Sequence, residues 1–324
     1  MRLVTFQLDT AAGPLQRVGA LLDDHVVDLQ HAVAASRDTG DPGRALLEAG
    51  ATLPSDMLAV LERGEPALGA AADALSFVQR TGAVTWEGRT VLHPCDRVRL
   101  RAPLPRPRSL RDFMVVEEHV ENSLRAAGQT VPPEWYEMPV YYKGNVDTIY
   151  GPDDEIPWPR YTERLDYELE ICAVIGRAGR EIPADRAHEH IVGYTIYNDW
   201  SARDIQFREM KVGLGPALGK DFASSIGPAL TTADAFDLHG ARLTATIDGE
   251  QWSAGTLGPM RFTFAQIVEW VSQEQPLHPG DLLGSGTVGR GCGLELDRWL
   301  RPGSVVELSA DGIGVLRNRV GERR

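Results

Sequence analysis

Two glutamates, Glu168 and Glu170, stand in the run Leu165-Asp166-Tyr167-Glu168-Leu169-Glu170-Ile171-Cys172-Ala173-Val174-Ile175. The run alternates with period two, so on a strand both carboxylates leave one face while Tyr167, Leu169 and Ile171 leave the other. At about 3.3 Å of rise per residue the two lie roughly 7 Å apart. Carboxylates so close repel, and a metal ion, a basic partner or a shared proton must compensate them. The segment Ile191 to Arg203 (IVGYTIYNDWSAR) reads as an apolar strand that delivers a third carboxylate, Asp199, at its C-terminal end. Three oxygen ligands, with the remaining positions left to water or substrate, suit Mg²⁺, Mn²⁺ or Ca²⁺ rather than a thiolate-seeking metal. The plainer alternative is a solvated strand face with Asp199 in a turn, because charged alternation is ordinary on half-exposed sheets.

Other reactive side chains are scattered. Asp112 and His119 are spaced to share one helix face after about two turns, which makes His119 a candidate base, although it is one of 8 histidines. Lys220 follows the Gly-rich stretch Val212 to Gly219, and Gly284-Ser285-Gly286-Thr287-Val288 is a backbone loop open to close approach by a ligand. Glu295, in Gly293-Leu294-Glu295-Leu296, reads by itself as a strand carboxylate. His188 and His190 would point to different sides of a helix and do not form a zinc pair. Cys292 has no histidine near it in sequence and reads as a structural thiol. The chain has no Gly-x-Ser-x-Gly elbow, dinucleotide fingerprint or Walker loop, so a serine triad and nucleotide cofactors lack support.

The elements that must position these groups are mostly strands. Leu3 to Leu8, Val18 to Leu22 and Val26 to Leu29 form a small β unit, followed by a helix capped by Ser55 and stopped by Gly64, and a second helix from Pro66 to Arg80. Arg101 to Arg108 (RAPLPRPR) favours an extended connection, which places an N-terminal domain at 1–100, a linker at 101–110 and a second domain at 111–324. In the latter, Asp248-Gly249 and Asp311-Gly312 are hairpin turns, and Thr263 opens a capping box with Gln266. A formal net charge of -13 argues against nucleic acid and anionic membrane as partners. Three widely spaced cysteines fit a reducing compartment, and no apolar run approaches the roughly 20 residues of a membrane span, so the expected location is the cytoplasm.

Together, Leu165-Asp-Tyr-Glu-Leu-Glu170, Glu189-His-Ile-Val-Gly193 leading to Asn198-Asp-Trp-Ser-Ala-Arg-Asp-Ile-Gln206, and Leu218-Gly-Lys220 resemble the fumarylacetoacetate hydrolase superfamily, over about Arg111 to Leu308. The resemblance implies an α+β, mainly β fold: a mixed β-roll catalytic domain behind a small β-rich N-terminal domain, assembled as a homodimer. It implies a divalent metal, Mg²⁺ with Mn²⁺ or Ca²⁺ as alternatives, held by Glu168, Glu170 and Asp199, with Asp112 as a fourth carboxylate. His119 matches the catalytic histidine and Glu295 the glutamate that orients it. Arg203, Gln206 and Lys220 match positions that stabilise an oxyanion, and Tyr142 and Thr287 match substrate contacts.

Two departures bear on the substrate. Met114 stands where fumarylacetoacetase carries a substrate-contacting tyrosine. Lys143 in Tyr141-Tyr142-Lys143-Gly144-Asn145 resembles the lysine of a Phe-x-Lys-Pro motif of shorter members, with Gly144 in place of proline. Residues 121–138 would form a lid. The expected reaction is hydrolysis of a C–C bond in a 1,3-diketo or 2-oxo acid, such as an acylpyruvate, with water activated by the His119 and Glu295 pair. Decarboxylation of an oxaloacetate-like acid or keto–enol isomerisation is the alternative, and a metal-stabilised scaffold the non-enzymatic one.

Overall fold

The computed structural model describes residues 1–126 and 128–323. Its centre is a 12-stranded sheet in which Leu92–Pro94, His25–Asp28, Gly13–Leu22, Arg2–Thr10, Ser224–Thr232, Ile191–Asn198, Glu170–Ile175, Asp281–Gly284, Ser109–Phe113 and Tyr141–Lys143 lie side by side. Most pairs are antiparallel; Asp281–Gly284 runs parallel to Ser109–Phe113. A second sheet of five strands contains Leu243–Ile247 with Glu250–Gly255, and Val305–Ala310 with Gly314–Val320. Both Asp-Gly dipeptides turn these hairpins, with Asp248 and both glycines at positive φ. The fold is therefore mainly β with mixed pairing, as the motifs implied.

The strand Glu170–Ile175 is buried along its whole length. Ile171, Ala173 and Ile175 join Tyr167 and Leu169 in the core beneath the second sheet. Cys172 and Val174, on the other face, pack into a separate core built from the N-terminal helices. The period-two run thus serves two cores at once, and Glu168 and Glu170 continue the row that faces the helical layer.

That layer comprises Leu29–Arg37, Pro42–Thr52, Met57–Arg63 and Glu65–Thr81. Asp28, Asp41 and Asp56 cap the first three by accepting backbone N–H bonds. The cap of the third is thus Asp56, one residue beyond Ser55, while Gly64 ends that helix as expected. Phe264–Val271 carries the capping box of Thr263 and Gln266. The strand Arg2–Thr10 pairs with Ser224–Thr232 across Leu3 and Leu230, so one sheet runs through both sides of the 101–110 connection.

Candidate active site

Asp112, Glu168, Glu170 and Asp199 converge, each with a carboxylate oxygen within 4.8 Å of the others, and all four are buried. Asp112 comes from the strand Ser109–Phe113, opposite Gly284. A Cβ at Gly284 would stand 2.3 Å from the Asp112 carboxylate, so only glycine leaves room there. Gly286, at φ +75, turns the next loop and donates its N–H to the same carboxylate at 3.3 Å. Asp112 and His119 do not share a helix face: the strand ends at Phe113 and the helix Glu117–Ala126 starts four residues later, because Asp112 is committed to the sheet.

Glu168 and Glu170 leave one face of the chain, and Asp199 follows directly on Ile191–Asn198. Asn198 ties the two segments by accepting the Glu168 N–H at 2.9 Å. Lys220 donates from its ammonium to both Glu168 and Asp199. Arg203 donates to Glu168 at 2.9 Å and to Asp166 at 2.8 Å, and Gln206 accepts from Arg203 at 3.1 Å. Tyr142 donates to Asp199 at 2.7 Å, and Thr287 to Glu170 at 3.2 Å.

His119 and Glu295, 176 positions apart, meet at 2.9 Å through Nδ1 of the imidazole. Glu295 sits on the short helix Gly293–Leu296 rather than on a strand. A single antiparallel bridge between Glu168 and Cys292 brings that helix to the carboxylates. Nε2 of His119 lies 3.9 Å from Glu168.

Lys143 is not brought to the cluster. It follows Tyr142 on a strand, so its side chain leaves the opposite face, and it is exposed. The 121–138 segment is tied down by Trp135, which donates to the Met114 carbonyl at 2.8 Å, and by Arg261, which donates to the Tyr136 carbonyl at 2.7 Å; Ala127 in it lies outside the described residues. Three neighbours escaped notice in the sequence. Asn122 donates to Glu295 at 3.0 Å, Ser123 lies 3.4 Å from His119 Nε2, and Asp166 anchors Arg203 while accepting two N–H bonds from Gly293 and Leu294. Asn122 and Ser123 stand three and four places after His119, the spacing of one helix face, which was the available signal.

The electrostatics define what the cluster needs. Five buried carboxylates, Asp112, Asp166, Glu168, Glu170 and Asp199, face two buried cations, Arg203 and Lys220. Burial first, then the facing carboxylates, holds Asp112 and Glu170 well above the usual carboxylate range. Burial acts the same way on Glu168, but Lys220 and Arg203 outweigh it and hold that group low. Among the described residues, the buried oxygens Glu170 Oε2 and Asp199 Oδ1 have no hydrogen-bond partner. Surplus negative charge, orphaned oxygens and an all-oxygen donor set fit a hard divalent cation.

A carboxyl whose folded-state pKa is raised adds stability fully below its unfolded value, about 4, and this is lost as pH rises through the folded value. Protein in EDTA is therefore expected to lose Tm through these two groups as pH rises above about 4, and the Tm gain on adding Mg²⁺ to grow over the same rise. Scanning calorimetry reads both; a gain independent of pH would exclude proton–metal competition at Asp112 and Glu170.

Among the described residues no helix is long and apolar enough to cross a membrane. Residues 110–321 match the family model for the fumarylacetoacetate (FAA) hydrolase C-terminal domain. The chain is 31% identical over 273 residues to a mitochondrial oxaloacetate tautomerase of Homo sapiens, covering 83% of this chain and 81% of that protein. It is 27% identical over 308 residues to an oxaloacetate tautomerase of Bacillus subtilis, covering 94% and 96%. The solved fumarylacetoacetate hydrolase from psychrophilic Exiguobacterium antarcticum superposes with a TM-score of 0.71 at 26% identity, covering 99% of this chain and 100% of that one. A match over most of the chain, around a buried four-carboxylate cluster in the same fold, establishes that the protein belongs to the fumarylacetoacetate hydrolase family.

Proposed function

We propose that the protein is a divalent-cation-dependent tautomerase of an oxaloacetate-like 2-oxo acid. The observation that carries this is the buried cluster of Asp112, Glu168, Glu170 and Asp199 with a histidine–glutamate pair at its edge. The two tautomerase relatives favour proton transfer over the C–C hydrolysis that headed the sequence expectation. A cation held by the four carboxylates would act as a Lewis acid on the 2-oxo carboxylate portion of the substrate and make the adjacent C–H acidic.

The chain's own groups supply the rest. Glu295 accepts the Nδ1 proton of His119, which leaves Nε2 with the lone pair facing the cluster. Nε2 takes the proton from the carbon next to the ketone, the electron pair moves to the ketone oxygen to give an enolate, and the imidazolium then returns that proton to the oxygen, which completes the enol and restores neutral His119. Burial works against the charge on Lys220, but Asp199 and Glu168 outweigh it and keep the group protonated. Lys220 and Arg203 thus provide fixed positive charge beside the oxygen where negative charge develops. Arg203 is braced by Asp166 and Gln206. Tyr142 and Thr287 line the same space and reach the substrate. The assembly is a homodimer in this reading, which sedimentation equilibrium would measure.

The test follows loss of enol absorbance when the enol form of oxaloacetate is mixed with the protein, with Mg²⁺ and with EDTA. Acceleration with Mg²⁺ that EDTA abolishes is expected. An Mg²⁺-independent rate, or none above buffer, would overturn the proposal. The His119–Glu295 geometry equally suits activation of water, so an acylpyruvate in parallel is the measure of C–C hydrolysis; cleavage there with no tautomerisation would put hydrolysis first.

A further inference from the structure

We propose that His119, Cys292 and Glu295 form a second metal site, distinct in chemistry from the carboxylate cluster, that takes one Zn²⁺ or a similar thiophilic ion and thereby silences the His119–Glu295 pair. One ligand atom from each residue lies within 4.8 Å of the others. His119 Nδ1 is 2.9 Å from Glu295 Oε2, and the Cys292 thiol donates to that same oxygen at 3.4 Å. Zinc–nitrogen and zinc–oxygen bonds of about 2.0–2.1 Å and zinc–sulfur bonds of about 2.3 Å place tetrahedral ligands about 3.4–3.6 Å apart. The three donors therefore need only small shifts to share one ion.

The surroundings are those of a built site. Cys292 is fully buried and held by its backbone bridge to Glu168. Asn122 and the Arg290 N–H both donate to Oε1 of Glu295 at 3.0 Å. Those two bonds orient the carboxylate so that Oε2 is presented to the histidine and the thiol, as outer partners do at metal sites. Three protein ligands leave a fourth position for water.

The donor types sort the ions. Asp112, Glu168, Glu170 and Asp199 offer oxygen only, which suits Mg²⁺, whereas the nitrogen, sulfur and oxygen donors here favour Zn²⁺. As the zinc–sulfur bond forms, the thiol proton leaves to solvent. The imidazole proton shifts from Nδ1 to Nε2, which gives zinc the Nδ1 lone pair and removes the free Nε2 lone pair. The loss of catalysis rests on the roles proposed above for His119 and Glu295; the binding itself does not.

The experiment titrates the full chain, saturated with Mg²⁺, with Co²⁺, and follows the near-ultraviolet charge-transfer band of a cobalt–thiolate bond. Cobalt that enters the carboxylate cluster gives no such band. Wild type is expected to develop the band at one equivalent and to lose it when Zn²⁺ is added. Cys292→Ser is expected to show no band, to keep its Mg²⁺-dependent Tm gain as proof of folding, and to bind zinc at least about 100-fold more weakly, beyond the 10–100-fold that loss of an outer partner costs. Each protein's rate with oxaloacetate is compared with its own zinc-free rate; stoichiometric Zn²⁺ is expected to stop wild type and to spare the variant. No band in wild type, or an equal band in Cys292→Ser arising from Cys95 or Cys172, would overturn the site. A Cys292-dependent band in a protein with no zinc-free turnover would leave the site standing and defeat the functional reading instead.

Discussion

Glu170→Gln is expected to lower turnover by about 10²–10³-fold or more while raising the Tm of the metal-free protein. The two effects have one cause. Glu170 is fully buried, one of its oxygens has no partner among the described residues, and burial followed by Asp112, Glu168 and Asp199 disfavours its charge. The folded state therefore favours a proton or a cation there, and a neutral amide of the same shape removes that demand. The Thr287 hydroxyl can still donate to the amide oxygen, so the local geometry is preserved. Each kcal/mol of relieved repulsion would raise Tm by about 2–4 °C in a domain of this size. The variant should also lose most of the Mg²⁺-induced Tm gain. Calorimetry with and without Mg²⁺, beside the oxaloacetate assay, reads all three quantities. Wild-type turnover in Glu170→Gln would remove the carboxylate cluster from the reaction.

His119→Asn carries the second large effect. Loss of a general base typically costs about 10²–10⁴-fold, and here it is expected in kcat, with the Mg²⁺-dependent Tm gain unchanged. Glu295→Gln should fall in the same direction, because the amide cannot stabilise a positively charged imidazole as the carboxylate does. Glu295 is held in the charged form that this requires. Burial raises its pKa, yet the hydrogen bond and charge of His119, with Asn122 and the Arg290 N–H, bring the net value below the usual one. The double variant should be little worse than His119→Asn, since the two residues act as a unit. Additive losses would mean separate roles. Retention of full tautomerase activity by His119→Asn would assign the proton transfer to a group other than the His119–Glu295 pair.

The largest gain of the structure over the motifs is in how Arg203 and Lys220 are used. The motifs implied that both face an oxyanion. The structure shows both bonded to Glu168, and Lys220 to Asp199, so they hold the carboxylate walls in place. Replacing either would leave buried carboxylates unpaired, and activity lost through such a variant would mix structural with chemical effects.

Local pattern alone determined a good share of this protein. Period two placed Glu168 and Glu170 on one face, the apolar run before Asp199 ended at the site, the Asp-Gly pairs turned their hairpins, and Thr263 capped its helix. Each of these depends on residues within a few positions of one another, where backbone geometry translates spacing directly into direction. Other features depended on pairing between distant segments. Asp112 reaches the cluster because its strand lies beside Gly284, His119 meets Glu295 across 176 positions, and Lys143 turns away because Tyr142 takes the inner face of its strand. The Cys292 thiol, unremarkable in sequence, is set beside that pair by one backbone bridge. Register between strands is decided by packing of the whole sheet, and a shift of one residue would reverse every side chain on the strand. Spacing along the chain therefore named Glu168, Glu170 and Asp199, the resemblance of the motifs added the other reactive groups, and only the tertiary structure decided which of them face one another.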